Sequence, residues 1–251
     1  MRLFRSRRAI AATLLLSAII TLGGCGSSPA PTTPVAPADL LLNPEQLPDG
    51  FEPAQLTVAD LVGSNRGMIE RSVKAQVIPP DCRPTADADL NTQVSQANSA
   101  VLAARSDASS LVELVTTVRR DLDADIRATS GGCSTTTTVV GSGNLRGARV
   151  VTRYTEIAHP DLGPHASSVQ QSLLLRSEST TTLPDGTAGG QIGYAGYAIV
   201  TRVGAAPVTV QLTVTGDASL PANPPMPARE PLSVAGFTNV FRDAVSAAAA
   251  P

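Results

Sequence analysis

The stretch Val208-Thr209-Val210-Gln211-Leu212-Thr213-Val214-Thr215 alternates without exception between aliphatic and polar residues. Successive side chains of a β-strand point to opposite faces, so the pattern predicts a strand with one buried face and one face in water. Upstream segments rich in Val, Ile, Leu and Thr are separated by Gly, Pro, Asp or Asn turns. They predict further strands over residues 100–104, 110–117, 134–140, 148–157, 169–181 and 191–203.

Helical patterns are fewer. Residues 232–247 place four apolar side chains on one helical face, namely Phe237, Val240, Phe241 and Val245. Asn43 followed by Pro44 is typical of the start of a short helix. Further predictions are a helical turn over 57–62, an edge strand over 69–78, and helices over 85–98 and 118–129. Together the patterns predict an α+β fold: a single domain with a mainly antiparallel sheet and helices packed on one side.

The composition of the 251-residue chain limits its function. With 42% hydrophobic and 16% charged residues, it can form one substantial core and is too apolar for a wholly disordered protein. The 19 basic and 21 acidic residues give a formal charge of −2, which disfavours a basic face that binds nucleic acid. Trp is absent, which disfavours sugar sites built on stacked indole rings.

The first 25 residues have the organisation of a secretory signal peptide. Four arginines within residues 2–8 precede an apolar run over 9–22, which is short for a membrane span of about 20 residues. Leu22-Gly23-Gly24-Cys25 resembles the lipobox of bacterial lipoproteins. The resemblance implies that Cys25 receives a diacylglyceryl group and that residues 1–24 are removed. The alternative is an ordinary signal peptide in which Cys25 is incidental.

Residues 25–38 contain four prolines among small residues and predict an extended tether, which at about 3.1 Å per residue reaches at most roughly 40 Å. Residues 39–251 are then the extracellular domain. They contain no second apolar run of about 18 residues, so we expect no transmembrane helix. Without residues 1–24 the chain keeps 15 basic and 21 acidic residues, a formal charge of −6. We therefore expect the lipid, not a basic patch, to hold the domain at the membrane.

Cys82 and Cys133 remain once Cys25 is assigned to the lipid. An even pair in an exported protein predicts a structural disulfide, which would close a loop of about 51 residues. A reactive or metal-binding pair is the alternative, although neither a Cys-x-x-Cys spacing nor a nearby His supports it.

Several short motifs occur in one order along the chain. The lipobox and tether are followed by Leu47-Pro48-Asp49-Gly50-Phe51, by Val77-Ile78-Pro79-Pro80-Asp81-Cys82 and by the cysteine at 133, in a chain with a single Lys. In this combination the sequence resembles mycobacterial lipoproteins with an uncharacterised extracellular domain, which is similar to the sensor domain of PknH-type serine/threonine kinases. The resemblance covers about residues 40–247 and implies an α+β domain with a ligand-sized cleft. It carries over no functional residue, and the kinase sensor has two disulfides where this chain offers one pair.

Both histidines lie in His159-Pro160-Asp161-Leu162-Gly163-Pro164-His165. His and Asp are metal ligands and Asp161 could orient an imidazole, so His159, Asp161 and His165 are weak candidates for a metal or catalytic site. Their spacing fits no common zinc motif, and the Pro and Gly residues favour an exposed loop. Asp121-x-Asp123-x-Asp125 resembles the start of a calcium loop but lacks its Gly and distal Glu, which favours charges on a helix face.

No phosphate-binding, nucleophile-elbow or zinc-protease motif occurs in the sequence. Tyr194 and Tyr197 are an odd number of residues apart, so at most one of them can face the core from a strand. We expect no cofactor and no catalytic residue, and a non-enzymatic surface lipoprotein whose sensor-like domain binds a lipid, a wall fragment or a protein. The alternatives are an envelope hydrolase or metal-dependent enzyme that uses the histidine loop, and a structural partner in envelope assembly.

Overall fold

The computed structural model describes residues 35–250. The signal peptide, Cys25 and the tether up to residue 34 lie outside the described residues, so the predictions made for them stay predictions. Between residues 35 and 250, nine strands form one sheet in which every strand is antiparallel to its neighbours. The strands are β1 (Glu52–Ala54), β2 (Gln76–Ile78), β3 (Ser99–Arg105), β4 (Ser109–Thr116), β5 (Thr135–Val139), β6 (Arg149–Glu156), β7 (Val169–Thr182), β8 (Ala188–Arg202) and β9 (Ala205–Gly216). Their order across the sheet is β1-β3-β4-β9-β8-β7-β6-β5-β2.

Four α-helices in the described part of the chain cover both faces of this sheet. They are α1 (Val58–Val73), α2 (Ala86–Asn91), α3 (Leu122–Thr129) and α4 (Val234–Ala249). The alternation along β4 separates the faces: Leu111 and Val115 join the core under α4, whereas Val112 and Leu114 point toward α1. The α+β class and the antiparallel sheet are confirmed. The helices, however, are divided between the two faces and not gathered on one side, because β4 carries apolar side chains on both faces. None of the helices within residues 35–250 is long and apolar enough to span a membrane.

The larger core lies between α4 and the centre of the sheet. The residues of α4 that were expected to share an apolar face are all buried: Phe237, Val240, Phe241 and Val245. Gly196 of β8 lies so close to α4 that a Cβ at this position would overlap the ring of Phe241. Tyr194 stacks on Phe237 with 5.0 Å between the ring centroids. Tyr197 points to the opposite face of the sheet, as the odd spacing predicts.

The segment that precedes the sheet covers the same core. It contains two short 3₁₀ helices, Pro37–Leu40 and Pro44–Gln46. Asn43 caps the second of these with its side chain, which confirms the helix start predicted from Asn43 and Pro44. Leu40 and Leu42 are buried against the sheet, so this segment is part of the folded domain.

Helix α1 is the largest difference from the sequence prediction. One continuous helix replaces the helical turn and most of the edge strand predicted between residues 57 and 78, and only β2 remains as a strand. Thr57 and Asp60 form a capping box, in which each side chain accepts a hydrogen bond from the amide of the other residue. Ile69 and Val73 are four residues apart and therefore lie on one side of the helix. The loose alternation of apolar and polar residues in this segment is compatible with a strand as well as with a helix.

Helices α2 and α3 are shorter than predicted. The helix expected over 85–98 ends at Asn91, because the next residues form turns around the side chain of Asn98, which accepts a hydrogen bond from the Ser95 amide and donates one to the Gln93 carbonyl. The helix expected over 118–129 begins only after Asp121, whose side chain caps it. The backbone just before it is held to β9, since the Arg120 amide donates a hydrogen bond to a threonine hydroxyl of that strand.

Candidate ligand-binding cleft

A cleft of about 480 Å³ lies between α1 and the sheet face that α4 leaves free. One wall is the inner side of α1, and the other is the segment 83–88, which leads into α2. Strands β4, β8 and β9 form the floor with the side chains of Val112, Leu114, Tyr197, Gln211, Thr213 and Thr215. The volume falls within the range of roughly 300–1,000 Å³ that is typical of small-molecule sites.

Only the first half of α1 is packed against the domain. Val58 is buried in a small apolar cluster with Leu90 and Leu114. In the second half of the helix, Met68 and Val73 are 54% and 69% exposed. Because this half does not reach the sheet, it forms a wall of the cleft and leaves apolar side chains in contact with solvent.

Arg120 lies beside the cleft and links α2 and α3 to the sheet. It is buried, and its guanidinium binds the carboxylate of Asp125 through Nε to Oδ2 at 2.6 Å and Nη2 to Oδ1 at 2.9 Å. Nη2 also lies 2.8 Å from Oδ1 of Asp87, and Nη1 donates to Oε1 of Gln211 at 3.1 Å. The guanidinium carbon lies 4.1 Å from the ring centroid of Tyr197, and burial raises the pKa of that phenol, which stays neutral. One buried cation therefore joins two helices to the sheet.

Arg83 holds the C-terminal end of α1. Its Nη1 donates to the carbonyl of Ser72 at 2.6 Å and its Nη2 to the carbonyl of Ala75 at 2.8 Å. Ser72 lies in the last turn of α1 and Ala75 follows the helix, so Arg83 links the end of α1 to the segment after it. The preceding residue, Cys82, forms a disulfide with Cys133, as the sequence predicted. The disulfide thus fixes the backbone from which Arg83 reaches the helix.

A second cleft, of about 510 Å³, adjoins the same end of α1. The last turn of the helix and residues 138–145 line it. Ser72 lines both clefts, and Arg83 bonds the backbone between them, so the two clefts meet at the C-terminal end of α1. Gly141 touches the carbonyl of Lys74 too closely for any side chain to fit, which brings the loop directly against the helix.

The histidine loop lies away from both clefts, and its predicted residues do not come together. Asp161 accepts a hydrogen bond from the amide two residues later, at 2.9 Å, which stabilises the loop itself. His159 has other neighbours: its Nδ1 lies 3.1 Å from Oγ of Ser172, and its Nε2 lies 4.0 Å from Oε1 of Glu156. Within residues 35–250, no hydrogen bond joins His159, Asp161 and His165 to one another.

The described residues hold no group of three or more His, Cys, Asp or Glu side chains placed to bind a metal ion. The three acids of Asp121-x-Asp123-x-Asp125 have separate partners. Asp121 caps α3, Asp123 accepts a hydrogen bond from Gln171 at 2.7 Å, and Asp125 is buried against Arg120. The prediction of charges on an exposed helix face is therefore wrong for Asp125, whose side chain is buried and pairs with Arg120.

Sequence reasoning missed the residues that shape the cleft. Arg120 left no recognisable signal, because its side-chain partners Asp125, Asp87 and Gln211 lie 5, 33 and 91 positions away along the chain. A buried carboxylate on the other face did leave one: Glu113 lies between Leu111 and Val115 in the alternation of β4, which assigns it to the buried face. Its Oε2 accepts a hydrogen bond from the Leu42 amide at 2.9 Å, and its Oε1 has no partner. Burial raises the pKa of Glu113 to about 7, against the opposing effect of the Leu42 amide.

Comparisons with known proteins add little to this geometry. No protein-family model matches the chain, and no curated protein matches it. Among solved structures, the chain is similar to the X-ray structure of an uncharacterised protein from Mycobacterium smegmatis, described as the Rv0999 ortholog. The sequence identity is 12% and the TM-score 0.41, over 81% of this chain and 92% of that chain. A structural similarity and a sequence identity this low assign neither a family nor an activity to the chain.

Proposed function

We propose that the protein is a surface lipoprotein, anchored through a lipid on Cys25, whose extracellular domain binds a ligand in the cleft between α1 and the sheet. In this proposal the domain is sensor-like and non-enzymatic, as the resemblance to PknH-type sensor domains implies. The observation that carries the proposal is the cleft itself, which is large enough for a small molecule and open to solvent along the second half of α1.

The polar groups of the cleft support binding more than catalysis. Its charged side chains have partners within the domain: Asp87 pairs with Arg120, and Arg83 uses two of its N–H groups for backbone carbonyls. Both histidines lie in the loop 159–165, so neither is next to the hydroxyls of Thr213 and other residues of the floor. A hydrolytic site would need a nucleophile within hydrogen-bond distance of a base.

Ligand binding is tested by filling the cleft. The full chain is expressed in a mycobacterial host, and native mass spectrometry from detergent detects bound molecules. Thr213→Trp places a large ring on the floor of the cleft, whereas Thr155→Trp makes the same change at an exposed position of β6. We expect a stoichiometric ligand on the wild type and on Thr155→Trp, and its loss from Thr213→Trp. Retention by Thr213→Trp, or an empty wild type, would contradict a tightly held ligand in this cleft.

Anchoring is tested separately by phase partition. Lipid at Cys25 predicts that the wild type enters the detergent phase and that Cys25→Ser remains in the aqueous phase or keeps its signal peptide. The mass of the N-terminal peptide distinguishes these products. Equal partition of both proteins into the detergent phase would contradict the anchor and leave the cleft unaffected.

One observation favours a second candidate function, an envelope hydrolase. His159 lies between Ser172 and Glu156, which is the order of groups in a Ser-His-acid triad. The separation of 4.0 Å between His159 and Glu156 exceeds a hydrogen bond, and Ser172 lies within strand β7 and not on a strand-to-helix turn. A fluorophosphonate probe decides between the two: covalent labelling of Ser172 would support the hydrolase, and we expect none.

A further inference from the structure

We propose that the ligand of the cleft is an anionic amphiphile, a single lipid molecule whose acyl chain lies between α1 and the sheet and whose charged head group lies at the C-terminal end of α1. The proposal rests on the proposed function and adds the chemistry of the ligand to it. Two independent features of the site carry it: the apolar second half of α1 and the cations at the end of this helix.

The apolar feature is the wall formed by α1. Met68, Ile69 and Val73 line the cleft, and two of them are more than half exposed. Exposed apolar side chains that line a concave surface are typical of a binding site for an apolar group, and the flexible Met side chain adapts to ligands of varied shape. Across the cleft, Val112 and Leu114 continue the apolar lining on the floor. An acyl chain is complementary to this lining. A sugar is less so, because the ring of Tyr197, on which a sugar could stack, is already stacked with Arg120.

The charged feature is a pair of arginines near the C-terminal end of α1: Arg83 lines the cleft, and Arg71 lines the second cleft. Among the described residues, neither of these two side chains has a carboxylate within 4.0 Å. The C-terminus of a helix carries about half a negative charge. Even with this half charge and the carboxylate of Glu70 in the same turn, the two arginines keep a small positive surplus. The surplus is notable because the chain that follows the signal peptide is acidic overall.

The two features are joined by Arg83. Its guanidinium uses two of its five N–H groups for the carbonyls at the end of α1, so three remain for a ligand. Because Ser72 lines both clefts, a molecule that lies along the inner side of α1 brings its polar end to this guanidinium and to Arg71. Charge-assisted hydrogen bonds of this kind favour a phosphate or carboxylate head group over a zwitterionic or neutral one.

The experiment uses the full chain in phosphatidylcholine vesicles. Two photoactivatable probes with the same diazirine-bearing acyl chain, lysophosphatidylglycerol and lysophosphatidylcholine, are crosslinked by light and mapped by mass spectrometry. We expect crosslinks within residues 68–73 and 213–215, about tenfold more with the anionic probe, as one or two charge-assisted contacts would give. Arg71→Gln should bring the two probes to within about threefold of each other, whereas Arg66→Gln, an exposed arginine of α1 outside both clefts, should not. Arg83 is kept, because it holds the helix.

The outcomes separate this inference from the proposed function. Equal crosslinking by both probes in the wild type would overturn the anionic head group and leave an apolar ligand in the cleft. Equal crosslinking of Thr213→Trp and the wild type by the anionic probe would assign the effect to charge attraction at the surface and overturn the cleft as its cause. A third outcome is the absence of crosslinks with either probe, while native mass spectrometry finds a ligand on the wild type and none on Thr213→Trp. This outcome would overturn the proposal of an amphiphilic ligand and retain the proposed function.

Discussion

Replacement of Glu113 by Gln is expected to remove a pH dependence from the stability of the domain. The carboxyl group is fully buried on the α4 side of the sheet, beneath the segment that contains Leu40 and Leu42. Its one hydrogen bond comes from the Leu42 amide, and no cation within residues 35–250 lies within 4.0 Å of it. Burial without a compensating charge favours the neutral acid, which is why the pKa of Glu113 is raised from 4.5 to about 7.

The sign and size of the effect follow from this rise. Below about pH 4.5 the carboxyl is protonated in both the folded and the unfolded chain, and it adds no pH dependence. Between pH 4.5 and about 7 the unfolded chain loses the proton while the folded chain keeps it, so the free energy of unfolding falls as the pH rises. Above about pH 7 both states are ionised and the loss levels off. At 1.36 kcal/mol per pKa unit, the total loss is about 3 kcal/mol.

Pulse proteolysis in urea, which also works in the detergent that the proposed lipid anchor would require, measures this effect. Unfolding free energies of the wild type and Glu113→Gln are compared from below pH 4.5 to above pH 7. The difference between the two curves should change by about 3 kcal/mol, in favour of the variant at high pH. Any constant cost of burying the amide does not alter this change with pH. Glu45→Gln, at an exposed position, should follow the wild type. Parallel curves for the wild type and Glu113→Gln would refute the reasoning.

Three other substitutions test the packing by the same measurement of unfolding free energy. Gly196→Ala inserts a methyl group into α4 and should cost about 1–3 kcal/mol, while Gly132→Ala, which meets open space, should cost under about 1 kcal/mol; equal effects would contradict the close approach. Arg120→Ala leaves a buried carboxylate unpaired and should cost about 3 kcal/mol or more, so that a change below about 1 kcal/mol would contradict its role in joining the helices. The double replacement Cys82→Ser with Cys133→Ser opens a loop of 51 residues and should cost up to about 4 kcal/mol, whereas an unchanged stability would show that the disulfide does not constrain the unfolded chain.

The sheet could be predicted from sequence because its signal is local. The strict alternation over 208–215 determines the buried face of β9, and the apolar spacing of Phe237 and Phe241 determines that of α4. Each of these signals depends only on the geometry of a single element. Helix α1 could not be predicted in the same way, because Val58 is the only buried residue in its 16-residue span. A helix that buries so few residues has a weak apolar periodicity, and its sequence then does not distinguish a helix from a β-strand.

The cleft was beyond sequence reasoning for a different reason. Its lining comes from α1, from the segment 83–88 and from three strands, and consists of ordinary residues such as Leu, Thr and Gln. The side chains that set its shape, Arg120 and Arg83, act through partners that only the folded chain brings near. The histidine loop had the opposite property: its residues were conspicuous in sequence, yet His159 and Asp161 have separate partners in the structure.

The two faces of the sheet are packed by different means, and this difference explains how an open cleft can persist. On the α4 side, ring and backbone meet at Gly196 without space between them, and apolar burial holds the helix. On the α1 side, guanidinium groups hold the helices: Arg120 pairs with a carboxylate of α2 and one of α3, and Arg83 donates to the backbone at the end of α1. A long polar side chain fixes a distance without filling the space beside it, so α1 can be fixed at its end and still stand away from the sheet. Substitutions at Gly196 should therefore lower stability and leave crosslinking by the anionic probe unchanged in the folded protein, whereas Arg83→Gln should lower this crosslinking by more than its effect on stability accounts for.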